Sequence, residues 1–383
     1  MKKHLCIAKQ IHHRLLRWGL LGMLAMIWFS LARAVAADPT NSETKLRWVD
    51  PKELCIEGKG WTNTESFFDR FPTKAKGVVR PPVWDLSKDS AGICVRFVTD
   101  ATEISARWTV RKEKLAKPHM PASGVSGLDL YVRYQGRWQW LGATRPETSV
   151  TSEKRLTTGM TPEPRECVLY LPLYNGIEQI EIGIPSQAKI SPPPARQKNL
   201  KPVVFYGTSI VQGCAASRPG MAYPALLGRR LECPTINLGF SGNAVCEPEV
   251  ASLLAELDPA VYVLDPLPNM NAEQVAQRMP DFIATLRAAH PKTPIVLVEH
   301  LEVGDAPVAP SRCGYAKSNA ELRRIFETCV KAGDRKMFYI WGDKLLGSDG
   351  QGTVDRVHPT DLGFMRMSDE IEPILKRALR AAN

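Results

Sequence analysis

Val203-Val-Phe-Tyr-Gly-Thr-Ser-Ile-Val-Gln-Gly213 is the stretch from which the fold can be read. Val203 to Tyr206 is a strand candidate that is apolar on both sides, as a buried parallel strand is. Gly207 lets the chain turn sharply, and Ser209 follows two residues later, just before a helix would begin. A serine placed there lies at the mouth of a sheet, where its hydroxyl is exposed and oriented. Taken alone, the segment fits a serine that merely caps a helix about as well. A phosphate loop fits poorly, because Cys214 follows the second glycine where Gly-Lys-Ser/Thr is needed.

Downstream the pattern repeats. Thr235–Leu238, Val261–Leu264, Ile295–Val298 and Met337–Ile340 are further short apolar runs. Helical windows fall at about 220–231, 247–257, 271–289 and 316–332, with a closing helix at about 360–381. This alternation predicts an α/β fold with a doubly wound, flavodoxin-like parallel five-stranded sheet flanked by helices. In such a sheet the site lies at the carboxyl ends of the strands.

Upstream, Pro185 to Lys198 contains three consecutive prolines, Pro192 to Pro194, which neither a helix nor a central strand accepts. Before that boundary the runs at 93–98, 103–110, 128–134, 167–171 and 177–184 alternate apolar and polar residues with period two. They predict an antiparallel β-sandwich. Residues 145–165, rich in Thr, Pro and charge, read as a long loop. Residues 1–37 carry six Lys or Arg and no acid, with an apolar run from Trp18 to Ala32 and small residues at 34–37. That order predicts a cleaved signal peptide and an exported protein, periplasmic or extracellular, with no stable membrane span. The expected domains are therefore 1–37, 38–195 and 196–383.

Without residues 1–37, the formal charge drops from +10 to +4, and no basic stripe interleaves with aromatics, so nucleic acid is not an expected partner. Eight cysteines remain in no regular spacing, which favours buried free thiols over disulfides or a zinc motif. No metal or organic cofactor is expected.

A serine nucleophile needs a base. His119 lies in a loop before Met120-Pro121, His290 ends a helical window, and His300 closes the fourth strand at the active edge. His358 lies in Asp355-Arg-Val-His-Pro-Thr-Asp-Leu-Gly363. There an acid three residues upstream can accept from Nδ1–H and hold the tautomer, so His358 is the expected base, with His300 left to line the pocket. Gly239-Phe-Ser-Gly-Asn243 and Asp265-Pro-Leu-Pro-Asn269 fall at two further strand ends. Singly, each reads as a turn.

Together, Ser209, Gly242, Asn269 and His358 with Asp355 resemble the blocks of the SGNH (GDSL-like) hydrolase superfamily, over roughly residues 200–383. Two blocks depart from the usual pattern: Gly-Thr-Ser replaces Gly-Asp-Ser, and Leu-Pro-Asn-Met replaces Gly-x-Asn-Asp. Gly127-Leu-Asp-Leu-Tyr131 is similar to the GxDLY signature of a β-rich domain that precedes some bacterial members, as are Arg218–Pro224 and Asn237–Asn243 to that branch. The resemblance implies an acyl-serine esterase with a Ser209, His358, Asp355 triad. It also implies an oxyanion hole from the Ser209 and Gly242 N–H groups and the Asn269 amide. Acetylated carbohydrate is the implied substrate class, with Asn243 and His300 as candidate substrate contacts. Two other readings remain: a lipid-directed esterase or thioesterase, and a non-catalytic carbohydrate-binding protein using Trp138 and Trp140. Asp129 and Tyr131 read as packing residues or substrate contacts alike.

Overall fold

The computed structural model describes residues 45–196 and 200–382. Residues 1–37, expected from the sequence to be a signal peptide, lie outside the described residues. In chain order the first ten strands are β1 (Leu46–Val49), β2 (Cys55–Glu57), β3 (Cys94–Thr99), β4 (Ile104–Val110), β5 (Asp129–Tyr134), β6 (Arg137–Ala143), β7 (Thr151–Thr157), β8 (Arg165–Tyr170), β9 (Ile177–Pro185) and β10 (Ile190–Ser191). They build two antiparallel sheets. One has the order β1-β9-β4-β7; the other has β10-β3-β8-β5-β6, with β2 on β3. Val95, Phe97, Leu130 and Leu169 of one sheet pack on Ala106, Trp108, Ile180 and Ile182 of the other, giving the sandwich core that the period-two runs require.

The segment read as a loop at 145–165 contains β7. Its sequence, Thr-Ser-Glu-Lys-Arg-Leu-Thr, carries no apolar alternation because β7 is an edge strand and only Leu156 is buried. Main-chain pairing with β4 holds it in register, so its side chains carry little signal.

The second half contains β11 (Val203–Gly207), β12 (Thr235–Gly239), β13 (Val261–Asp265), β14 (Ile295–Val298) and β15 (Met337–Ile340), all parallel, in the order β12-β11-β13-β14-β15. Val203 and Phe205 face the helices Tyr223–Leu231 and Asp361–Ala382, through Leu227, Phe364 and Ile371. Val204 and Tyr206 face the opposite layer, formed by Pro248–Leu254, Ala272–Ala289 and Tyr315–Lys331. Burial on both faces is why these strands read as unbroken apolar runs. The chain crosses between layers beside β11, so the crevice opens at the carboxyl ends of β11, β12 and β13.

The GxDLY segment joins the two halves. Asp129 is fully buried and accepts from Arg218 Nη1 (2.9 Å), Gly220 N (2.8 Å) and Trp140 Nε1 (2.9 Å). Tyr131 lies under the Arg229 guanidinium, 3.8 Å from ring centroid to Cζ. A Cβ on Gly220 would meet Tyr131 Cε2 at 2.4 Å, so the Arg218-Pro-Gly turn docks only as glycine.

Arg70, also fully buried, forms a second junction. It donates to the carbonyls of Asp89 (2.8 Å), Leu86 (2.7 Å), Asn237 (3.1 Å) and Gly239 (2.8 Å). Burial lowers its pKa to about 10, which still leaves it charged at neutral pH.

Candidate active site

Ser209 is the first residue of a single helical turn, Ser209–Gln212, at the end of β11. The Thr208 side chain caps that turn by accepting from Ile210 N. A Cβ on Gly207 would sit 2.4 Å from the Asp265 carbonyl oxygen and from Val211 Cγ2, so the strand can turn this tightly only without a side chain. The turn presents Ser209 Oγ 2.9 Å from His358 Nε2.

The histidine is held locally. Asp355 Oδ1 accepts from Val357 N (3.1 Å) and His358 N (2.8 Å), while Asp355 Oδ2 is 2.7 Å from His358 Nδ1. Arg356 adopts φ +78° between them and is anchored by Asp305, with Nε to Oδ2 at 2.5 Å. Val354 N closes the turn on the His358 carbonyl at 3.0 Å. One carboxylate therefore shapes the backbone and orients the imidazole. Burial disfavours a charged imidazole, but the Cys214 thiol and the Asp355 carboxylate outweigh it and push His358 up to about 9. Asp355 moves the other way: burial would raise it, and the hydrogen bonds from His358 hold it below the usual carboxylate range.

Gly242 is exposed and left-handed, at φ +70°. Among the described residues, neither the Ser209 nor the Gly242 N–H donates to a protein acceptor. The Gly242 loop is tied to the Ser209 turn by Gln212, whose Oε1 accepts from Ser241 N at 3.0 Å. The Asn269 amide oxygen accepts from Asn243 N (2.9 Å) and Ala244 N (3.1 Å), an orientation assigned from the hydrogen-bond network. This directs its NH2 away from those two donors.

The two candidate substrate contacts are engaged elsewhere. Asn243 Oδ1 and its carbonyl accept from the two Arg80 Nη atoms, and its Nδ2 donates to Ser241 O. His300 is buried, stacks on Tyr315 at 4.7 Å, and has Nδ1 2.6 Å from Leu301 O; no hydrogen bond joins it to Ser209, Asp355 or His358. Burial lowers its pKa.

Sequence reasoning missed His119 and Cys214. His119 comes from the β-rich half, on a turn closed by Lys117 and Met120, and its ring stacks on His358 with centroids 5.5 Å apart. Its Nε2 lies 3.2 Å from Cys214 Sγ. Only Pro118 and Pro121, which confine this loop, hinted at an ordered role. All eight cysteines of the described residues are free.

Residues 200–376 match the GDSL-like Lipase/Acylhydrolase family, and residues 46–190 match the N-terminus of SGNH-hydrolase-type esterases. A solved GDSL-like lipase from Bacteroides ovatus is 38% identical over 88% of this chain and 98% of its own, with a TM-score of 0.82. A salicylyl-acyltransferase of a tetracycline biosynthetic pathway shares the fold at 19% identity, 87% and 97% coverage and TM-score 0.68. So does an acetyl xylan esterase from the rumen bacterium Butyrivibrio proteoclasticus, at 11% identity, 88% and 100% coverage and TM-score 0.56. No protein of curated function matches the chain. With the sheet order, the serine-first strand end and these matches in agreement, the chain belongs to the GDSL-like (SGNH) family of carboxylic ester hydrolases.

Proposed function

We propose that the protein is an exported serine esterase that removes acetyl or other short acyl groups from carbohydrate by two-step acyl transfer. The observation that carries this reading is the relay from Ser209 Oγ to His358 Nε2 and from His358 Nδ1 to Asp355 Oδ2, at 2.9 and 2.7 Å. His358 takes the Ser209 proton as Oγ attacks the ester carbonyl. The resulting oxyanion accepts from the Ser209 and Gly242 N–H groups and the Asn269 NH2. Collapse breaks the C–O bond, and His358 returns its proton to the departing sugar alkoxide. Water then attacks the acyl-serine with His358 again as base, releasing the acid and restoring Ser209.

One observation supports a hydroxylated substrate and another supports export. Arg80, Gln274, Gln277, Arg278 and Asp281 line a cleft of about 620 Å³ that reaches Gly242. These side chains can hydrogen-bond sugar hydroxyls, beside the apolar Val245, Pro248, Ala251 and Phe282 of the same wall. Among the described residues no helix is long and apolar enough to cross a membrane, and residues 1–37 carry the export pattern.

The test is hydrolysis of a short-chain aryl ester, then of acetylated glycans against long-chain lipid esters. Acetate release from glycan is expected to exceed fatty-acid release. The reverse order would transfer the assignment to lipid. Failure to cleave any ester would leave a carbohydrate-binding protein on a hydrolase fold.

The elevated His358 pKa sets the pH dependence. Only the neutral imidazole can accept the Ser209 proton, and His358 stays protonated until the pH approaches about 9. Measured in EDTA, kcat/KM should therefore climb from neutral toward pH 9. Asp355→Asn should lower both the rate and the pH of that limb. An acidic optimum in the wild type would contradict this arrangement.

A further inference from the structure

Three donor atoms of the soft and borderline kind meet at the relay: His119 Nε2, Cys214 Sγ and a ring nitrogen of His358 all lie within 4.8 Å of one another. They come from three separate places in the chain, and folding alone assembles them. We propose that His119, Cys214 and His358 form a zinc-binding site, and that Zn²⁺ bound there switches the esterase off reversibly by taking His358 Nε2 away from Ser209. The inhibitory half of this proposal rests on the reading of Ser209 and His358 as nucleophile and base.

The donor set is the first argument. Two imidazoles and a thiolate select Zn²⁺ over the hard cations Ca²⁺ and Mg²⁺, which prefer oxygen. Zn–N bonds of about 2.0–2.1 Å and Zn–S bonds of about 2.3 Å place tetrahedral donors roughly 3.3–3.7 Å apart. His119 Nε2 and Cys214 Sγ are already 3.2 Å apart, so a small inward movement of the imidazole rings closes the set.

The support around the donors is the second. His358 Nδ1 is held by Asp355 Oδ2 at 2.7 Å, the carboxylate–histidine arrangement that fixes the metal-binding tautomer of the neutral ring, in which the lone pair is on Nε2. Cys214 is fixed by its N–H donating to Ser209 O at 2.8 Å, and its thiol is buried. His119 is half-buried, with its Nε2 facing the Cys214 thiol. Three protein ligands leave a fourth position, beside Ser209 Oγ, for water.

Competition is the consequence. The same Nε2 lone pair receives either the Ser209 proton or the metal. Binding releases the Cys214 thiol proton and, below about pH 9, the His358 Nε2 proton to solvent, and forms the two Zn–N bonds and the Zn–S bond; nothing is oxidised or reduced, and chelation reverses it.

Co²⁺ reports the site independently of turnover. Titrated into Ser209→Ala protein, it should bind one equivalent and give the near-ultraviolet thiolate-to-cobalt absorption. That band should be displaced by Zn²⁺ and missing in the Ser209→Ala, Cys214→Ser double variant. In the activity arm, zinc should suppress wild-type aryl-ester hydrolysis and EDTA should restore it. His119→Ala and Cys214→Ser, each compared with its own zinc-free rate, should need roughly 10–100-fold more zinc for half-inhibition. Equal zinc sensitivity in all three proteins, or no thiolate band, overturns the proposal. A wild-type protein that gives the band yet cleaves no ester upholds the metal site and sinks the reading of Ser209.

Discussion

Ser209→Ala and His358→Ala each lower kcat by roughly 10⁴-fold or more, and the double variant is no worse than either single one. The relay acts as a unit: without Oγ there is nothing for His358 to deprotonate, and without Nε2 the hydroxyl stays a weak nucleophile. KM changes little, because neither side chain is assigned to grip the sugar. Asn269→Ala costs less, about 10²–10³ in kcat, since two backbone donors would still serve the oxyanion. Steady-state kinetics on an aryl acetate, with circular dichroism to confirm folding, decides the matter. Near-normal turnover by Ser209→Ala would remove the mechanism, and additive losses would show that the two residues work separately.

Arg70→Met destabilises the protein by about 3–5 kcal/mol. The guanidinium is fully buried and serves four carbonyl oxygens: two in the β-rich half and two on β12. Methionine fills much of the volume but donates nothing, so each oxygen loses its donor in a place where water does not easily replace it. Relief of the arginine's own burial cost, visible in its lowered pKa, offsets part of the loss. Chemical denaturation at neutral pH measures the change. A shift below about 1 kcal/mol would mean that water enters and satisfies the carbonyls. Gly239 leads directly into the Gly242 loop, so the surviving folded fraction should also turn over more slowly.

The linear order of residues carried the parallel sheet and pointed to Ser209, His358 and Asp355, which the structure brings within hydrogen-bond distance of one another. Val203–Gly207 and its four partner strands are legible because burial on both faces demands consecutive apolar residues, and Ile295–Val298 and Met337–Ile340 end where the apolar runs end. Asp355 and His358 are legible because three residues and one turn suffice to join carboxylate to imidazole. Ser209 was identifiable by its place after a strand and a glycine. Other features depend on chain segments that are distant in sequence. The polar strand Thr151–Thr157 exists because β4 offers it an edge, and an edge asks nothing of side chains. Asp129 became a clamp on Arg218 and Gly220, across 89 and 91 residues. His119 reached Cys214 across 95 residues and came to lie over His358, with no local pattern to announce it. Periodicity records which faces of an element are buried. Which separated side chains then meet depends on how the elements pack, and only the tertiary structure decided that.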